Sequence, residues 1–593
     1  MESASGARGA GRTAVGWLDR VAGTAWFAYG SVFLIQTRVL WGIWEHRDLT
    51  SGDTARYFSE ASRWTHGFHL DPLWSPLYAF FWGSLRWIFD DPYTTTILHR
   101  VLIVLAATLL VLAVLRRLLS PGIAWVLAVW WAILPINYDV LYEVHLFALL
   151  PELAAVLIAL AWSGLRMRGT VFAVLLASTI LVRNEHVVAL GVWTVAWIAY
   201  EVRARRRGEG TEMRRLLAAA GLPVLAIGAV TGALILSWPN SDLRARFETH
   251  ESISVCQAYA LGYQQRHQDF KGNPFTGCER LMERDFGQHE PSMTEAIRAN
   301  AGAMGAHFLW NARLFPYGMQ LMLFDRISAG GQDRDPDYIP VRAGSSLALL
   351  GSVLLMGFAL GGLTLLWHNR RRWWQSWIGP RAWGWLALGA LAATAVVAAL
   401  WQRPRPEYLF GLSVGLLAVI GTCAMAYADR WPALKRGRPA IPLAALLLLI
   451  LIPAHYGSGY VTPQIGPGRP LKEMVDRLYP MRRDLRGSDV KLLATSSGDA
   501  CAYVGGDDPC KPIRWKSILS RDPGVSVADV LETHGVDFIY VDRVDLENPA
   551  IRDAIHQAEA AGWARIAPSS AGQGWLLIKR PTSPNKGQYA ISL

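Results

Sequence analysis

The sequence predicts a polytopic α-helical membrane protein with a small α/β domain at its carboxyl end. Of its 593 residues, 52% are hydrophobic and 18% are charged, whereas soluble proteins carry about a quarter charged residues. The apolar residues form runs of about 15 to 25, long enough to cross a bilayer as helices. The last part of the chain, 454–593, changes to the composition of a folded soluble domain.

The predicted spans follow one another closely except at two longer outer loops, 45–96 and 239–342. In the first loop, the apolar run 74–88 is short and bounded by Asp71 and Asp90, which favours a helix lying at the membrane interface. The second loop contains a helical pattern near 293–308. In chain order the predicted spans, about eleven in all, are 24–44, 97–115, 122–136, 146–165, 170–182, 187–200, 217–238, 343–367, 383–401, 408–427 and 440–453.

Basic residues indicate the topology of the membrane region, 24–453. The net charge is +11, but arginines cluster in alternate short gaps between apolar runs, as the positive-inside rule predicts. This distribution argues against nucleic-acid binding. Residues 1–23 are polar and no cleavage site follows them, so we expect a cytoplasmic N-terminus and an extracytoplasmic C-terminal domain.

Strand and helix patterns alternate in the C-terminal domain, which is typical of a small α/β fold. Strands are predicted at 491–496, 537–542 and 574–579, and helices at 527–533 and 550–561. The domain and the second outer loop each carry a cysteine pair. Cys256 with Cys278, and Cys501 with Cys510, predict two disulfides in an oxidising compartment, with four free thiols as the alternative.

Ionisable residues at the outer ends of spans are the candidate site residues, because charge at membrane depth is costly and usually functional or paired. Asp53 follows the first span, and Arg56 shares its face if the segment is helical. A carboxylate there can act as a base, although a loop ion pair is the alternative. The other candidates precede or follow later spans: Glu143 and His145, with Glu152 behind them on the same helical face; Arg183, Glu185 and His186; Arg403, Arg405 and Tyr408.

The positive-inside rule does not explain arginines at the outer ends of spans. Phosphate binding does, since a guanidinium offers a planar fork of donors. A sugar transferred from a polyprenyl phosphate leaves a phosphate whose charge must be stabilised. The acceptor hydroxyl must lose its proton as it attacks. The chain has no glycine-rich phosphate loop, and a lipid-linked donor requires none.

The order of these motifs resembles that of the GT-C glycosyltransferases, integral-membrane enzymes that use polyprenyl-phosphate sugars. The shared features are an acid in the first outer loop, an interfacial Pro-Leu-Tyr helix, an outer Glu before span four, an Arg-x-Glu after span five and a late Arg-Pro-x-Tyr. The resemblance covers about 24–430 and the layout of the tail. It is nearest to bacterial members with a C-terminal periplasmic domain, such as protein mannosyltransferase-like, aminoarabinose transferase-like and mycobacterial arabinofuranosyltransferase-like enzymes.

The resemblance implies a role for each candidate. Asp53 matches the catalytic acid, but many relatives have a second acid where Gly52 stands. Binding of a divalent cation (Mg, Mn or Ca) therefore remains an open alternative, which no paired acidic motif supports. The implied roles are donor-phosphate binding for Arg183, Arg405, Arg56 and Arg403, and sugar binding or orientation for Glu143, His145, Glu185, His186 and Tyr408.

These observations together lead us to expect an inverting glycosyltransferase of a bacterial plasma (inner) membrane. It would move a sugar from a polyprenyl-phosphate donor to a hydroxyl on a glycan, lipid or protein at the outer face. Three alternatives remain open at this stage: a transporter or flippase, an O-antigen polymerase or ligase, and a sensor whose receptor is the soluble tail. The absence of visible repeated halves argues against the transporter.

Overall fold

A computed structural model of the chain provides the three-dimensional description. It describes residues 21–41, 53–67, 70–89, 92–134, 143–237, 243–267, 269–272, 274–275, 277–329, 346–431, 491–494, 511–514, 527–536, 538–542, 549–560, 562–566 and 574–579. The predicted eleventh span at 440–453 and the predicted pair Cys501 and Cys510 lie outside these ranges.

Each of the first ten predicted spans coincides with a helix. Eight of the described helices are long and apolar enough to cross a membrane, and the chain is a multi-pass membrane protein. The helices before the tail are α1 (Ala25–Leu40), α2 (Asp53–Gly67), α3 (Pro76–Ile88), α4 (Pro92–Leu118), α5 (Pro121–Ile133), α6 (Glu143–Ala161), α7 (Gly164–Leu181), α8 (Val187–Arg206), α9 (Met213–Ser237), α10 (Leu243–Arg266), α11 (Cys278–Phe286), α12 (Met293–Ala299), α13 (Ala301–Phe324), α14 (Ser346–His368), α15 (Ala382–Trp401) and α16 (Pro406–Arg430).

Contacts divide the chain into two compact units. One unit comprises Met1–Trp41 with Val101–Tyr460, and the other comprises Gly42–Arg100 with Val461–Leu593. The expected domain boundary at 454 falls outside the described residues and stays a prediction.

Two helices of the first outer loop form a hairpin in the second unit. The predicted interfacial helix is α3, while α2 is an amphipathic helix that buries Tyr57 and Phe58. Helices α2 and α3 pack through aromatic rings. The ring centroids of Tyr57 and Tyr78 are 5.2 Å apart, and those of Phe58 and Trp82 are 5.3 Å apart. Gly83 permits this approach, because a Cβ there would lie 2.6 Å from the Ala61 carbonyl oxygen.

The helices of the first unit differ in how much of their length is buried in protein. The candidate site lies among the more buried helices. Within its most apolar stretch, α16 is 67% buried, whereas α9 is 0% buried. Helices α15 and α16 pack closely because Gly411 faces the backbone of Leu391, where a Cβ would lie 3.1 Å from the carbonyl oxygen. The ends of these two helices therefore lie beside one another in the interior.

Within its described residues, the tail forms a five-stranded mixed sheet with two helices, and the predicted strands and helices fall on elements of this unit. The order is β2-β1-β3-β5-β4, with β1 parallel to β2 and β3, and β5 antiparallel to β3 and β4. Strands β2 and β4 were not predicted, and in β2 Pro512 argues against a strand from sequence alone. The elements are β1 (Lys491–Ala494), β2 (Lys511–Arg514), α17 (Val527–Thr533), β3 (Phe538–Asp542), α18 (Pro549–Ala560), β4 (Trp563–Ile566) and β5 (Gly574–Lys579).

One predicted disulfide is confirmed, and it joins α10 to α11. Cys256 and Cys278 are bonded, with their Cα atoms 5.5 Å apart. The helical pattern predicted near 293–308 corresponds to α12 and α13. They are separated at Asn300, whose side-chain oxygen accepts a hydrogen bond from the Ala303 amide at 3.0 Å and caps α13.

Candidate functional site

Four elements of the first unit converge on one polar cavity: α6, the 3-10 turn Asn184–His186 between α7 and α8, α15, and α16. The cavity volume is about 40 Å³, enough for roughly three water molecules at about 10–15 Å³ each. Its ionisable and polar lining residues are His145, Glu152, Arg183, Glu185, His186, Thr394, Glu407 and Tyr408.

The turn between α7 and α8 presents an arginine paired with the glutamate two residues later. Arg183 has an extended backbone, and its amide donates to the Ser178 carbonyl, which ends α7. The guanidinium Nε lies 3.1 Å from both carboxylate oxygens of Glu185, and Nη2 also donates to Oε1. A fork-to-carboxylate pair of this kind fixes both side chains relative to the turn.

The start of α16 repeats this arrangement. Pro404 and Pro406 hold the preceding residues in extended conformation, and Pro406 occupies the first helical position, where an amide is not needed. The Arg405 guanidinium donates to Glu407 Oε1 at 3.0 Å. Both side chains are nearly buried, with exposures of 12% and 6%.

Each arginine is thus already neutralised by a carboxylate on its own segment. A guanidinium with a carboxylate partner can exchange that partner for phosphate oxygens, since both anions fit the same fork. Arg183, which lines the cavity, and Arg405, whose partner Glu407 lines it, are therefore two exchangeable anion-binding groups within an apolar helix bundle.

A chain of buried polar side chains lies beside the first pair. His186 Nε2 is 3.4 Å from Glu152 Oε1, and its Nδ1 shares a hydrogen bond with the Ser178 hydroxyl. All three side chains are at least nine-tenths buried. Imidazole can accept a proton at one nitrogen while it releases one from the other, so this chain can hold or move a proton next to the arginine fork.

Tyr408 connects α6 to the segment that precedes α16. Its ring meets the His145 ring edge-on, with centroids 4.8 Å apart. Its hydroxyl donates to Gln402 Oε1. The wall of the cavity next to Arg405 is therefore held by an aromatic contact on one side and a hydrogen bond on the other.

Comparison with known proteins finds similarity in structure only. No known family profile matches the sequence, and no curated protein sequence matches it. The chain is similar to the archaeal oligosaccharyltransferase AglB from Archaeoglobus fulgidus in complex with an inhibitory peptide and a dolichol-phosphate, with a TM-score of 0.44, 13% identity, and coverage of 93% of this chain and 74% of that chain. It is also similar to ArnT from Cupriavidus metallidurans bound to undecaprenyl phosphate, with a TM-score of 0.40, 11% identity, and coverage of 94% and 99%.

The cavity brings together most of the residues predicted for the donor site. His145, Arg183, Glu185, His186 and Tyr408 line it. Arg405 reaches it through its pair with the lining residue Glu407. Two further candidates are close in sequence but are not among the lining residues: Glu143, which is buried at the start of α6, and Arg403, which precedes Pro404.

Asp53 and Arg56 belong to the other unit, and their roles stay predictions. Asp53 is the first residue of α2. Arg56 pairs with Glu60 at 3.0 Å, lies 3.9 Å from Asp71 and covers the ring of Trp74. Burial raises the pKa of Glu60, while the guanidinium groups of Arg63 and Arg56 oppose that rise. Arg56 would have to leave these partners to bind a phosphate.

Sequence reasoning assigned no role to Glu407 and did not identify His186 as a neighbour of Glu152. Glu407 was detectable, because Arg405-x-Glu407 repeats the spacing of Arg183-x-Glu185. Glu152 shares the cavity with His145 as its helical face predicted, but its partner is His186 on another element. Among the described residues, no three His, Cys, Asp or Glu side chains could together hold a metal ion.

Proposed function

We propose that this protein is an inverting glycosyltransferase that moves a sugar from a polyprenyl-phosphate donor to a hydroxyl acceptor. The observation that carries the proposal is one cavity among membrane-spanning helices that is lined by the Arg183–Glu185 pair and by Glu407, the partner of Arg405. A polyprenyl chain is as apolar as a lipid tail and can lie against such helices. Its phosphate needs cationic donors at membrane depth, and these two forks supply them.

The arginines would act on the donor. As the bond between the anomeric carbon and the phosphate oxygen breaks, negative charge grows on the phosphate, and prepositioned guanidinium groups stabilise it. In this proposal His145, Glu185, His186 and Tyr408, with Glu143 nearby, orient the phosphate end or bind sugar hydroxyls.

The acceptor requires a base, and Asp53 is the proposed one. The acceptor oxygen attacks the anomeric carbon opposite the phosphate, its proton passes to the Asp53 carboxylate, and polyprenyl phosphate leaves with inversion at carbon. The proposal sets this reaction at the outer face, with a glycan, lipid or protein as acceptor. No step passes through a divalent cation.

A binding experiment tests the donor site. Full-length protein in nanodiscs is titrated with undecaprenyl phosphate and, separately, with undecaprenol. We expect preference for the phosphate, and at least tenfold weaker phosphate binding in Arg183→Gln and Arg405→Gln. Arg371→Gln, in the exposed cluster after α14, is the matched control and should bind normally. Equal affinity for the two lipids, or normal binding by both cavity variants, would contradict the proposal.

A turnover experiment tests Asp53. The protein is incubated with a panel of polyprenyl-phosphate sugars and hydroxyl acceptors, and released polyprenyl phosphate is measured. Asp53→Asn should abolish release without lowering the melting temperature, whereas Asp48→Asn, a carboxylate in the same predicted loop, should not. Near-normal turnover by Asp53→Asn would refute its role as the base. Movement of intact lipid-linked sugar across the bilayer without release would instead favour the flippase.

A further inference from the structure

The segment that carries Arg405 is held from outside the cavity by α13. Helix α15 ends at Trp401, so its last carbonyl groups have no partner within the helix. Asn311 of α13 donates its two amide hydrogens to Leu400 O at 2.8 Å and Gln402 O at 3.1 Å. His307, one turn earlier on α13, places Nε2 at 2.9 Å from the carbonyl oxygen between them, that of Trp401.

These contacts determine which nitrogen of His307 carries the proton and where the Asn311 amide donates. An amide nitrogen has two hydrogens, whereas Asn311 Nδ2 has three neighbours: Leu400 O, Gln402 O and His307 Nε2 at 3.2 Å. A carbonyl oxygen only accepts, so His307 carries its proton on Nε2 and donates to Trp401 O. Three consecutive carbonyls at the end of α15 are therefore satisfied by one face of α13.

A third contact lies directly beside the arginines. Gly318 of α13 packs on Pro404, the residue between Arg403 and Arg405. A Cβ at Gly318 would lie 2.3 Å from Pro404 O and 2.9 Å from Leu409 Cδ1. Contacts under 3.0 Å force a shift in the neighbour, and here the nearest atom is backbone, which cannot rotate away.

Helix α13 is itself braced by the disulfide-linked helix α10. Trp310 Nε1 donates to Gln265 of α10 at 3.0 Å. Gly262, also on α10, leaves room for the His307 ring, since a Cβ there would lie 3.1 Å from Nδ1. We call the contacts of His307, Asn311 and Gly318 with residues 400–404 the clasp. The clasp is thus anchored outside the cavity.

We propose that α13 sets the position of the Arg405 guanidinium for the donor phosphate, with His307, Asn311 and Gly318 as positioning residues that do not touch the ligand. The ligand in this statement rests on the proposed function, whereas the clasp itself is a property of the fold. Releasing the clasp should let residues 400–408 move and should weaken phosphate binding without unfolding the protein.

Two variants release the clasp, and one glycine provides the matched control. Gly318→Ala inserts a methyl group against Pro404, while Gly305→Ala lies on the same helix with nothing within 4 Å of the new Cβ. Both substitutions raise the helix propensity. The two variants therefore differ in the contact that the new methyl group makes with Pro404. Asn311→Asp keeps the shape of the side chain but replaces two donors by a charged acceptor facing carbonyl oxygens.

Two measurements on full-length protein in nanodiscs decide the outcome. Hydrogen exchange at residues 400–408 should rise at least tenfold in Gly318→Ala and Asn311→Asp and stay at the wild-type level in Gly305→Ala. Undecaprenyl phosphate affinity should fall at least fivefold in the first two variants alone, with no change for undecaprenol.

The outcomes separate the clasp from the proposed function. Unchanged exchange at residues 400–408 in both clasp variants overturns the inference, as does raised exchange with wild-type phosphate affinity. Failure of wild-type protein to prefer the phosphate lipid overturns the proposed function and the ligand part of this inference. In that case the exchange data alone still decide whether α13 holds the segment.

Discussion

At the scale of single residues, the notable feature of the site is that its two arginines come with their own counterions. Arg183 and Arg405 each bind the glutamate two positions later, and one cavity is lined by Arg183, Glu185 and Glu407. An unpaired guanidinium in this setting would be costly, since breaking a buried ion pair costs about 3–5 kcal/mol. The glutamates therefore keep the empty cavity stable and compete with an incoming phosphate.

Removing one competing carboxylate should strengthen anion binding. For Glu185→Gln we expect about tenfold tighter undecaprenyl phosphate binding, equal to about 1.4 kcal/mol, together with a lower melting temperature. Glu212→Gln is the control, because the Glu212–Arg215 pair is 72% and 71% exposed and such pairs contribute about 0–1 kcal/mol. Weaker phosphate binding by Glu185→Gln would show that Glu185 orients Arg183 more than it competes.

His307 gives a pH dependence whose sign follows from its surroundings. Burial, with a smaller contribution from the charge of Arg266, lowers the pKa of His307 to about 4, although the hydrogen bond to the Trp401 carbonyl opposes the shift. An unfolded histidine has a pKa of about 6.5. Between those values the unfolded chain binds the extra proton, so stability falls as pH drops from about 6.5 to 4.

The corresponding measurement is a series of thermal melts across this pH range. The His307 contribution amounts to roughly 3 kcal/mol at the acid end, at about 1.4 kcal/mol for each pKa unit. In His307→Gln the loss of melting temperature between pH 6.5 and 4 should be smaller than in wild type. His289→Gln, whose side chain is 62% exposed, should keep the wild-type profile. Identical profiles for both variants would exclude His307 as a source of acid sensitivity.

At the scale of elements, α7 and α8 are joined at both ends by polar groups. One end is the turn that carries Arg183. At the other end, Arg168 of α7 donates to Glu201 of α8 at 2.8 Å, with exposures of 6% and 8%. The Arg168 guanidinium also lies over Tyr200 and over Trp383 at the start of α15. This cluster fixes the spacing of α7, α8 and α15, and the cavity is lined further along by α15 and by the turn that joins α7 to α8.

Breaking this pair should be more harmful than replacing it. Arg168→Met leaves Glu201 buried without its cation and should lower stability by about 3–5 kcal/mol. The double variant Arg168→Met with Glu201→Leu should recover much of that loss, because two apolar groups of similar size pack without a charge. Melting temperatures of the three variants against wild type test this, and a double variant as unstable as Arg168→Met would contradict it.

At the scale of the whole molecule, the first unit has peripheral and interior helices. The most apolar stretches of α9 and α14 are 0% and 11% buried in protein, compared with 67% for α16. An apolar helix with so little protein around it needs lipid as its solvent. Helices α9 and α14 therefore differ from α16 in their peripheral position more than in their hydropathy.

Lipid contact can be mapped directly. Full-length protein in nanodiscs containing phospholipids with a photoreactive acyl chain should be labelled strongly within α9 and α14 and weakly within α16, as measured by mass spectrometry of peptides. All three have the same mean hydropathy, close to 2.1 in their most apolar stretches, so α16 is a matched control. Labelling of α16 as strong as that of α9 would contradict the arrangement.

The spans and the main elements of the tail were predictable because each depends on local pattern. Ten predicted spans coincide with helices, and Val527–Thr533 was predicted to the residue. The residues of α2 were not identified as a helix, because its burial depends on aromatic contacts with α3 that no local pattern contains. The break between α12 and α13 depends on the cap at Asn300, which a search for periodicity does not detect.

The sequence by itself determined the membrane class, the order of spans, the α/β character of the tail and the pairing of Cys256 with Cys278, since length, hydropathy and spacing decide these locally. It also identified Arg183, Glu185, His186, Arg405 and Tyr408 as candidates. Only the tertiary structure decided that Arg183, Glu185, His186 and Tyr408 line one cavity, and that Asn311 and His307 hold the Arg405 segment. The contacts of Asn311 and His307 join residues about ninety positions apart, and no spacing rule along one helix or strand encodes them.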